Sequence, residues 1–207
     1  MTNKSDGMAQ TKKTQKERRD KTRGALLDAT VEALISLGYA NTSTLKVQKR
    51  AGVSRGALLH YYPSRASLMA DVVRYLAELR GKELQAKASA LPDNTDRAEA
   101  ALDLLWESFS GALFTVAMEL RVASRTDPEL RRELVSTELE LHQNIVHQFK
   151  TIFGERLASK PGFYDALDLS VHLMVGLGMS AMIHDDPERL RALLQHQKTW
   201  LRQILGA

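Results

Sequence analysis

The residues whose types and spacing best suit a specific chemistry lie in the segment 54–61, which reads SRGALLHY. Arg55 carries a guanidinium that can donate two hydrogen bonds to the O6 and N7 atoms of a guanine. Gly56 and Ala57 have almost no side chain, so the backbone there can lie close to a flat partner, and the Ala57 methyl could touch a thymine methyl. These residue types indicate contact with the base edges of nucleic acid.

The remaining candidates are donors that could hold the sugar–phosphate backbone. Two of them, His60 and Tyr61, lie further along the same helix, at a suitable distance for phosphates or bases. The others are side chains and helix starts, which present backbone N–H groups to phosphates: Lys46, Arg65 and the helix starts near Thr44 and Ser64.

These side chains require two short helices joined by a tight turn. Four apolar residues have the spacing with which two such helices pack together: Val47, Ala51, Val53 and Leu58. Gly52 stands where the turn needs a positive φ. In a helix-turn-helix the second helix enters the major groove with its N-terminal residues at the base edges. The alternative is an αα-hairpin in a core, with exposed basic residues that only aid solubility.

The distribution of charge favours a polyanionic partner. The 207 residues have a formal net charge of +4, yet residues 1–75 hold fourteen Lys and Arg against six Asp and Glu, and residues 76–207 hold fifteen against nineteen. A basic first third before an acidic remainder is typical of a chain that binds nucleic acid at one end. The alternative for this charge is a solvated basic tail.

Helix signals continue through the rest of the chain. Caps, prolines and glycines delimit about nine helices, and no run of alternating β-branched residues predicts a strand. The sequence therefore predicts an all-α protein with a flexible basic N-terminal arm at 1–20, a three-helix helix-turn-helix domain at 21–67 and a larger helical bundle at 68–207. A helix from Ser64 to about residue 90 would join the two domains.

Composition excludes several classes of function. The absence of cysteine removes disulfides, thiolate nucleophiles and Cys-ligated metals. His142 and His147 are five residues apart, a spacing that predicts different faces of a helix, so neither a metal site nor a cofactor is expected. An enzyme built on a helical bundle with a basic surface remains an alternative, although the sequence shows no paired carboxylates and no nucleophile–base pair for it.

The expected location is the cytoplasm, without membrane attachment. The first twenty residues are polar and lack the apolar segment of a signal peptide. The longest apolar run, 171–183, is shorter than the ~20 residues that span a bilayer.

Residues 23 to about 72 resemble the TetR family of bacterial transcription regulators. The likeness rests on a first helix, on Gly38-Tyr39, on the stretch AGVSRG at 51–56 and on the helix start at Ser64. It implies a homodimer of all-helical subunits that binds a palindromic double-stranded DNA operator and is released by a small-molecule effector. Matching positions imply DNA contacts for Thr44, Arg55, Gly56, Ala57, His60 and Tyr61, and a phosphate contact for Arg65.

Three residues depart from the family pattern. Gln48 stands where the family usually has Ala against the recognition helix, so its side chain must reach outward or shift that helix. Leu59 replaces a Tyr that commonly contacts a phosphate, and Leu45 is apolar where the family is often charged. These departures affect the map of contacts and leave the motif intact.

The resemblance also implies roles for the larger bundle. Large or soft side chains could line an effector cavity: Trp106, Phe109, Phe114, Met118, Phe149, His172 and Met174. The last two helices would pair with their twins across a two-fold axis, through Leu169, Leu173, Gly176, Leu177, Ser180, Leu193, Leu194, Trp200, Leu201 and Ile204. For both sets the alternative is core packing within one chain. The expected function is a ligand-responsive repressor, and an activator of the same fold is the alternative.

Overall fold

A computed structural model describes residues 5–92, 95–184 and 186–206, with side chains from residue 15 onward. Over these ranges the chain forms ten helices and no strand, so the predicted all-α class is confirmed. In chain order the helices are α1 (Ser5–Asn41), α2 (Thr44–Ala51), α3 (Arg55–Tyr61), α4 (Arg65–Ser89), α5 (Arg97–Ser108), α6 (Ala112–Ala123), α7 (Pro128–Phe153), α8 (Glu155–Ala158), α9 (Phe163–Ala181) and α10 (Pro187–Leu205).

The helix absent from the sequence-based prediction is α8, a single turn of four residues. It follows Gly154, whose φ of 81° ends α7, and it closes with a backbone hydrogen bond from Ser159 N–H to the carbonyl of Glu155. A helix this short offers no apolar period that a sequence could display. The prediction of about nine helices was therefore one short for the described part of the chain.

The N-terminal arm differs from the expected one. The described chain is helical from Ser5, and residues 5–20 continue directly into α1, whereas we expected a flexible arm at 1–20. Lys, Arg, Gln and Glu dominate this stretch and are good helix formers, which accounts for the extension. The first four residues of the predicted arm lie outside the described residues.

Side-chain caps place the helix starts close to their predicted positions. The hydroxyl of Ser43 accepts the N–H of Lys46 at the start of α2, and that of Ser54 accepts the N–H of Ala57 at the start of α3. Asp186 caps α10 in the same way. Such caps satisfy backbone donors that a helix cannot pair internally, and they fix the short helices of the motif in register.

The chain divides into two compact units. Unit 1 comprises Met1–Tyr75 and Glu119–Leu134, and unit 2 comprises Leu76–Met118 and Val135–Ala207. The core of unit 1 includes Leu26, Leu27 and Val47, all fully buried. The core of unit 2 contains a large apolar cluster from α4, α5, α6, α7, α8, α9 and α10. The sequence had suggested one division, after residue 67, and gave no sign that 119–134 joins unit 1.

The described helices include none that is alone long and apolar enough to cross a bilayer. Arg97–Ser108 and Ala112–Ala123 reach that length and composition only as a pair, and they meet at a bend of 58°.

Candidate nucleic-acid interface

Two short helices and a tight turn form the predicted motif in unit 1. Gly52 follows α2 with φ 66° and ψ 29°, the left-handed conformation expected for the turn. Its N–H donates to the carbonyl of Lys49 at 3.3 Å, and the next N–H, of Val53, donates to Gln48 at 3.1 Å. These bonds use the last carbonyls of α2, so the turn leads directly into the cap of α3.

Helix α3 has one exposed face and one buried face. Its exposed residues are Arg55, Gly56, Leu59 and His60, whereas Leu58 is buried against the other helices. Ala57 and Tyr61 are half-buried, so they lie at the edges of the exposed face. The structure thus gathers Arg55, Gly56 and His60 on one surface, and it adds Leu59, which the sequence-based list of contacts omitted.

The aromatic end of α3 contacts α1. The ring of His60 meets that of Tyr61 edge-on at 5.5 Å between centroids, and the Tyr61 hydroxyl donates to the carbonyl of Arg19 at 3.3 Å. This bond ties α3 to the basic N-terminal half of α1. A DNA contact by Tyr61 stays a prediction.

Lys46 and Arg65, the two long side chains predicted to contact phosphates, donate hydrogen bonds to main-chain carbonyls. The Lys46 ammonium donates to the carbonyl of Asn41 at 2.9 Å on an exposed surface. Arg65 is half-buried, and its Nε donates to the carbonyl of Thr42 at 2.8 Å while its Nη2 donates to that of Tyr39. Thr44 is half-buried at the start of α2. The phosphate contact of Arg65 therefore stays a prediction. What the structure shows for Arg65 is a structural role, since its guanidinium joins the start of α4 to the end of α1.

Tyr39 connects several parts of unit 1. The Arg65 guanidinium stacks on its ring at 3.7 Å from the centroid, and its hydroxyl donates to Asp127 at 2.7 Å. Its backbone N–H donates to a carboxylate oxygen of Glu119. Burial, together with the bond to Asp127, raises the pKa of Tyr39 to about 12. The N–H of Leu130, followed by the Tyr39 hydroxyl, lowers the pKa of the Asp127 carboxyl.

A second polar cluster holds α1 and α4 together. Asp71 accepts two hydrogen bonds from the Arg23 guanidinium, at 3.1 and 2.9 Å, and one from the Tyr62 hydroxyl at 2.6 Å. Burial, aided by this bond, raises the pKa of Tyr62 well above its usual range. Because Tyr62 is the residue directly after α3, the cluster fixes the C-terminal end of that helix.

The residues that depart from the family pattern face solvent to different extents. Gln48 is half-buried, whereas Leu45 and Leu59 are exposed by 54% and 47%. Two large apolar side chains thus lie uncovered on the helices of the motif.

In unit 2 most of the predicted effector-binding residues are core. Five are buried in the apolar cluster: Phe109, Phe114, Met118, Phe149 and Met174. Trp106 is half-buried, and His172 is exposed with its Nδ1 at 2.8 Å from the carbonyl of Asp168. Phe109 and Phe114 meet edge-on at 5.7 Å, which leaves no room between the rings. The alternative of ordinary core packing thus describes their environment.

The larger of two described cavities in unit 2 has a different lining. It measures about 570 Å³ and lies between α7 and α9, lined by His142, Gln143, Val146, His147, Lys150, Tyr164, Asp165 and Asp168. A smaller one, of about 230 Å³, lies beside Arg80 and Gly111. His142 and His147 both line the larger cavity, although their spacing predicted different faces of a helix. Both can do so because the wall of the cavity includes more than one row of side chains on α7.

The residues predicted for a dimer interface fall into three groups. Leu177 and Leu201 are buried in the core of unit 2, so they belong to the subunit's own packing. Leu169, Gly176 and Ser180 are exposed. The others are half-buried: Leu173, Leu193, Leu194 and Trp200. Ile204, which the same prediction places on this face, is 48% exposed, and the exposed apolar residues that the prediction omitted are Met179, Met182 and Ile183.

The two glycines of α9 have opposite surroundings. A Cβ at Gly176 would meet no atom within 4 Å, whereas one at Gly178 would lie 2.6 Å from the carbonyl oxygen of Phe109 and 2.7 Å from the ring of Phe114. Gly178 therefore allows close packing within the subunit.

Side chains that could bind a metal do not gather in the described ranges. No group of three or more His, Asp or Glu has the necessary geometry there.

Comparison with known proteins finds matches both to the helix-turn-helix segment and to most of the chain. A model of the family described as bacterial regulatory proteins, tetR family, matches residues 26–72. The HTH-type transcriptional regulator CymR of Pseudomonas putida is 30% identical over 183 residues, which cover 88% of this chain and 90% of CymR.

Solved structures share the whole fold. A transcriptional regulator from Rhodococcus sp. Rha1 superposes with a TM-score of 0.63 at 22% identity, covering 87% of this chain and 96% of that one. A regulator from Saccharomonospora viridis, solved in complex with choline, has a TM-score of 0.63 at 16% identity and covers 87% and 95%.

The chain belongs to the TetR family of helix-turn-helix transcriptional regulators. Its relatives are regulators and not enzymes, which removes the helical-bundle enzyme as an alternative.

Proposed function

We propose that this protein is a homodimeric repressor that binds a palindromic operator through α3 and releases it when a small molecule binds unit 2. The observation that carries the proposal is the exposed face of α3, where Arg55 projects from a helix whose opposite side is buried. Because its partner would be chromosomal DNA, we place the protein in the cytoplasm.

Recognition of DNA would divide between base edges and phosphates. Arg55 would bind a guanine, and Gly56 would let α3 lie deep in the major groove. His60 would contact a phosphate or a base. Lys46 is exposed, so its ammonium could move from the Asn41 carbonyl to a phosphate at little cost.

The homodimer would use the exposed apolar face of α9 and α10. Leu169 in α9 is 59% exposed, Gly176 lies two turns further along the same side of α9, and Ile183, just after the helix, is 82% exposed. An apolar surface around a glycine suits the close approach of an identical helix across a two-fold axis. Two recognition helices read adjacent half-sites when they stand roughly 34–36 Å apart.

The effector would occupy the cavity between α7 and α9. The side chains of His142, Gln143, His147 and Lys150 make no hydrogen bond or ion pair within the described residues, so they are available to a ligand. A solved regulator of the same fold holds choline, which supports a small-molecule site in this architecture. Binding would favour a state with misplaced recognition helices, and a coupling of about 1–3 kcal/mol would weaken operator affinity some 5–150-fold.

An activator of the same fold is the second candidate within this class. Whether a bound regulator blocks or assists transcription depends on where its operator lies relative to the promoter. A footprint that overlaps the promoter would support repression.

The test is selection of bound sequences from a random duplex library, with and without candidate effectors. We expect a palindromic consensus, because a two-fold dimer presents the same face to both half-sites. Arg55→Ala should cost about 1–3 kcal/mol and relax the preference at one base pair of each half-site. Equal affinity of this variant for the selected operator would show that α3 does not read it.

A further inference from the structure

Leu59 lies in the middle of the exposed face of α3. At 100° per residue, its direction falls between those of Arg55 and Gly56, with His60 beyond. The Leu59 side chain is 47% exposed, whereas Leu58, the residue before it, is buried. Gly56 has no side chain to cover it, so the isobutyl group is the principal apolar projection from this face.

The groove floor offers one apolar group to such a side chain. Guanine, adenine and cytosine present hydrogen-bond donors and acceptors in the major groove, whereas thymine adds its C5-methyl group. The leucine side chain can neither donate nor accept a hydrogen bond. At a polar base edge it would displace a water molecule and leave the base atom that bound this water without a hydrogen-bond partner. A thymine methyl is therefore the base-edge group that this side chain fits.

We propose that Leu59 is a specificity-determining residue that contacts the C5-methyl of one thymine in each half-site of the operator. The inference rests on the proposed function, since it requires α3 to lie in the major groove. It assigns to this position an apolar contact with a base.

The position of that thymine follows from the helix. Leu59 lies four residues after Arg55, a distance of about 6 Å along α3. One base pair occupies about 3.4 Å of the duplex axis. The thymine should therefore lie within about one to three base pairs of the guanine that Arg55 binds.

The test removes the methyl group from the DNA and the side chain from the protein. In the selected operator each thymine is replaced, one at a time, by deoxyuridine, which differs only by the C5-methyl. Each duplex is titrated with wild type and with Leu59→Ala. We expect one substitution per half-site to weaken wild-type binding about four-fold, the value of one buried methyl group. That same substitution should leave the affinity of Leu59→Ala unchanged.

Leu45→Ala is the matched control. Leu45 is also an exposed leucine of the motif, at 54%, but it lies on α2. This variant should keep the wild-type penalty at the thymine assigned to Leu59. Equal melting temperatures for the three proteins would verify that the changes act on binding.

The outcomes separate this inference from the proposed function. If wild type selects an operator, yet every deoxyuridine penalty is the same in Leu59→Ala, the thymine contact is wrong and the proposed function stands. If wild type selects no duplex sequence at all, both are wrong. A Leu59→Ala protein that loses self-association instead of thymine preference would show that this side chain contacts protein, and would also overturn the inference.

Discussion

At the scale of single residues, charged side chains of unit 1 make contacts that stabilise the fold. The guanidinium of Arg65 covers the ring of Tyr39 and binds two carbonyls at the end of α1. From sequence, its place at a helix start and its likeness to a phosphate-binding position suggested only a contact with DNA. The carbonyl partners lie more than twenty residues away along the chain, and no local pattern displays them.

Arg65→Ala should therefore lower stability as well as operator affinity. The loss of the carbonyl bonds and of the cation–π contact should reduce the free energy of unfolding by about 1–2 kcal/mol, measured by denaturant titration. Lys46→Ala is the control, because its single carbonyl bond is exposed and should contribute little. Unchanged stability in Arg65→Ala, with a flatter dependence of DNA affinity on salt, would mean that Arg65 serves only as a phosphate ligand.

The raised pKa of Tyr39 predicts how the free energy of unfolding changes at alkaline pH. Its pKa is held at about 12, against 10.0 for a free tyrosine, so its stabilising effect is complete below pH 10 and is lost as the pH rises toward 12. Tyr39→Phe should lose about 1–2 kcal/mol at neutral pH through the bond to Asp127. The difference from wild type should then shrink between pH 10 and 12 in denaturant titrations.

The control for this prediction is Tyr164→Phe. The Tyr164 hydroxyl makes no hydrogen bond within the described residues, and the side chain is exposed. Its removal should leave the free energy of unfolding at neutral pH unchanged. A constant difference between Tyr39→Phe and wild type up to pH 12 would contradict the assigned bond.

At the scale of the elements, local signals predicted the helix ends well. Ser54 before α3, Gly52 after α2 and Asp186 before α10 act as their residue types suggest, because caps depend on neighbours in the chain. Gly38 shows where this fails. With φ 73° and ψ 168° Gly38 interrupts the helical backbone of α1 in a conformation that favours glycine, and the N–H of Tyr39 donates to Glu119, eighty residues away.

The two glycines of α9 should respond oppositely to alanine. In Gly178→Ala the new methyl group would overlap the Phe109 carbonyl and the Phe114 ring, and we expect a loss of about 1–3 kcal/mol in the free energy of unfolding. Within one subunit, Gly176→Ala meets open space and should gain about 0.5–1 kcal/mol from helix propensity, so this comparison is made on the monomer, at protein concentrations below those of the proposed dimer. Thermal or denaturant unfolding of both variants checks this, and equal effects would refute the assigned packing.

At the scale of the whole molecule, the helix-turn-helix was predictable from the sequence, and the cavity that we propose as the effector site was not. Arg55 and its turn are contiguous in sequence, so their spacing carries the information. The large residues chosen for a cavity, such as Phe109 and Phe149, are buried core. The cavity itself lies between faces of α7 and α9 lined by polar residues, and its position depends on how distant helices pack.

Gly176→Glu should separate the proposed dimer without unfolding the subunit. The substitution places two like charges near a two-fold axis, in an apolar surface with Leu169 and Ile183. We expect the monomer's mass in sedimentation velocity, an unchanged helical spectrum and at least a ten-fold loss of operator affinity, since each half-site would be bound alone.

Gly111→Glu makes the same change in charge at another exposed glycine of unit 2 whose Cβ would meet no neighbour. It should remain dimeric. If Gly176→Glu also stays dimeric, the partner surface lies elsewhere on the subunit.

The discontinuous make-up of unit 1 bears on how such regulators can be recombined. A chimera that takes only the first 75 residues would leave Glu119 and Asp127 behind, so the backbone N–H and the hydroxyl of Tyr39 would both lose the carboxylates to which they donate. A transplant that carries residues 119–134 as well would retain both. Exchange of unit 1 between such proteins therefore requires a junction on each side of residues 119–134 in addition to the one after residue 75, and a graft joined only after residue 75 should melt at a lower temperature than either parent.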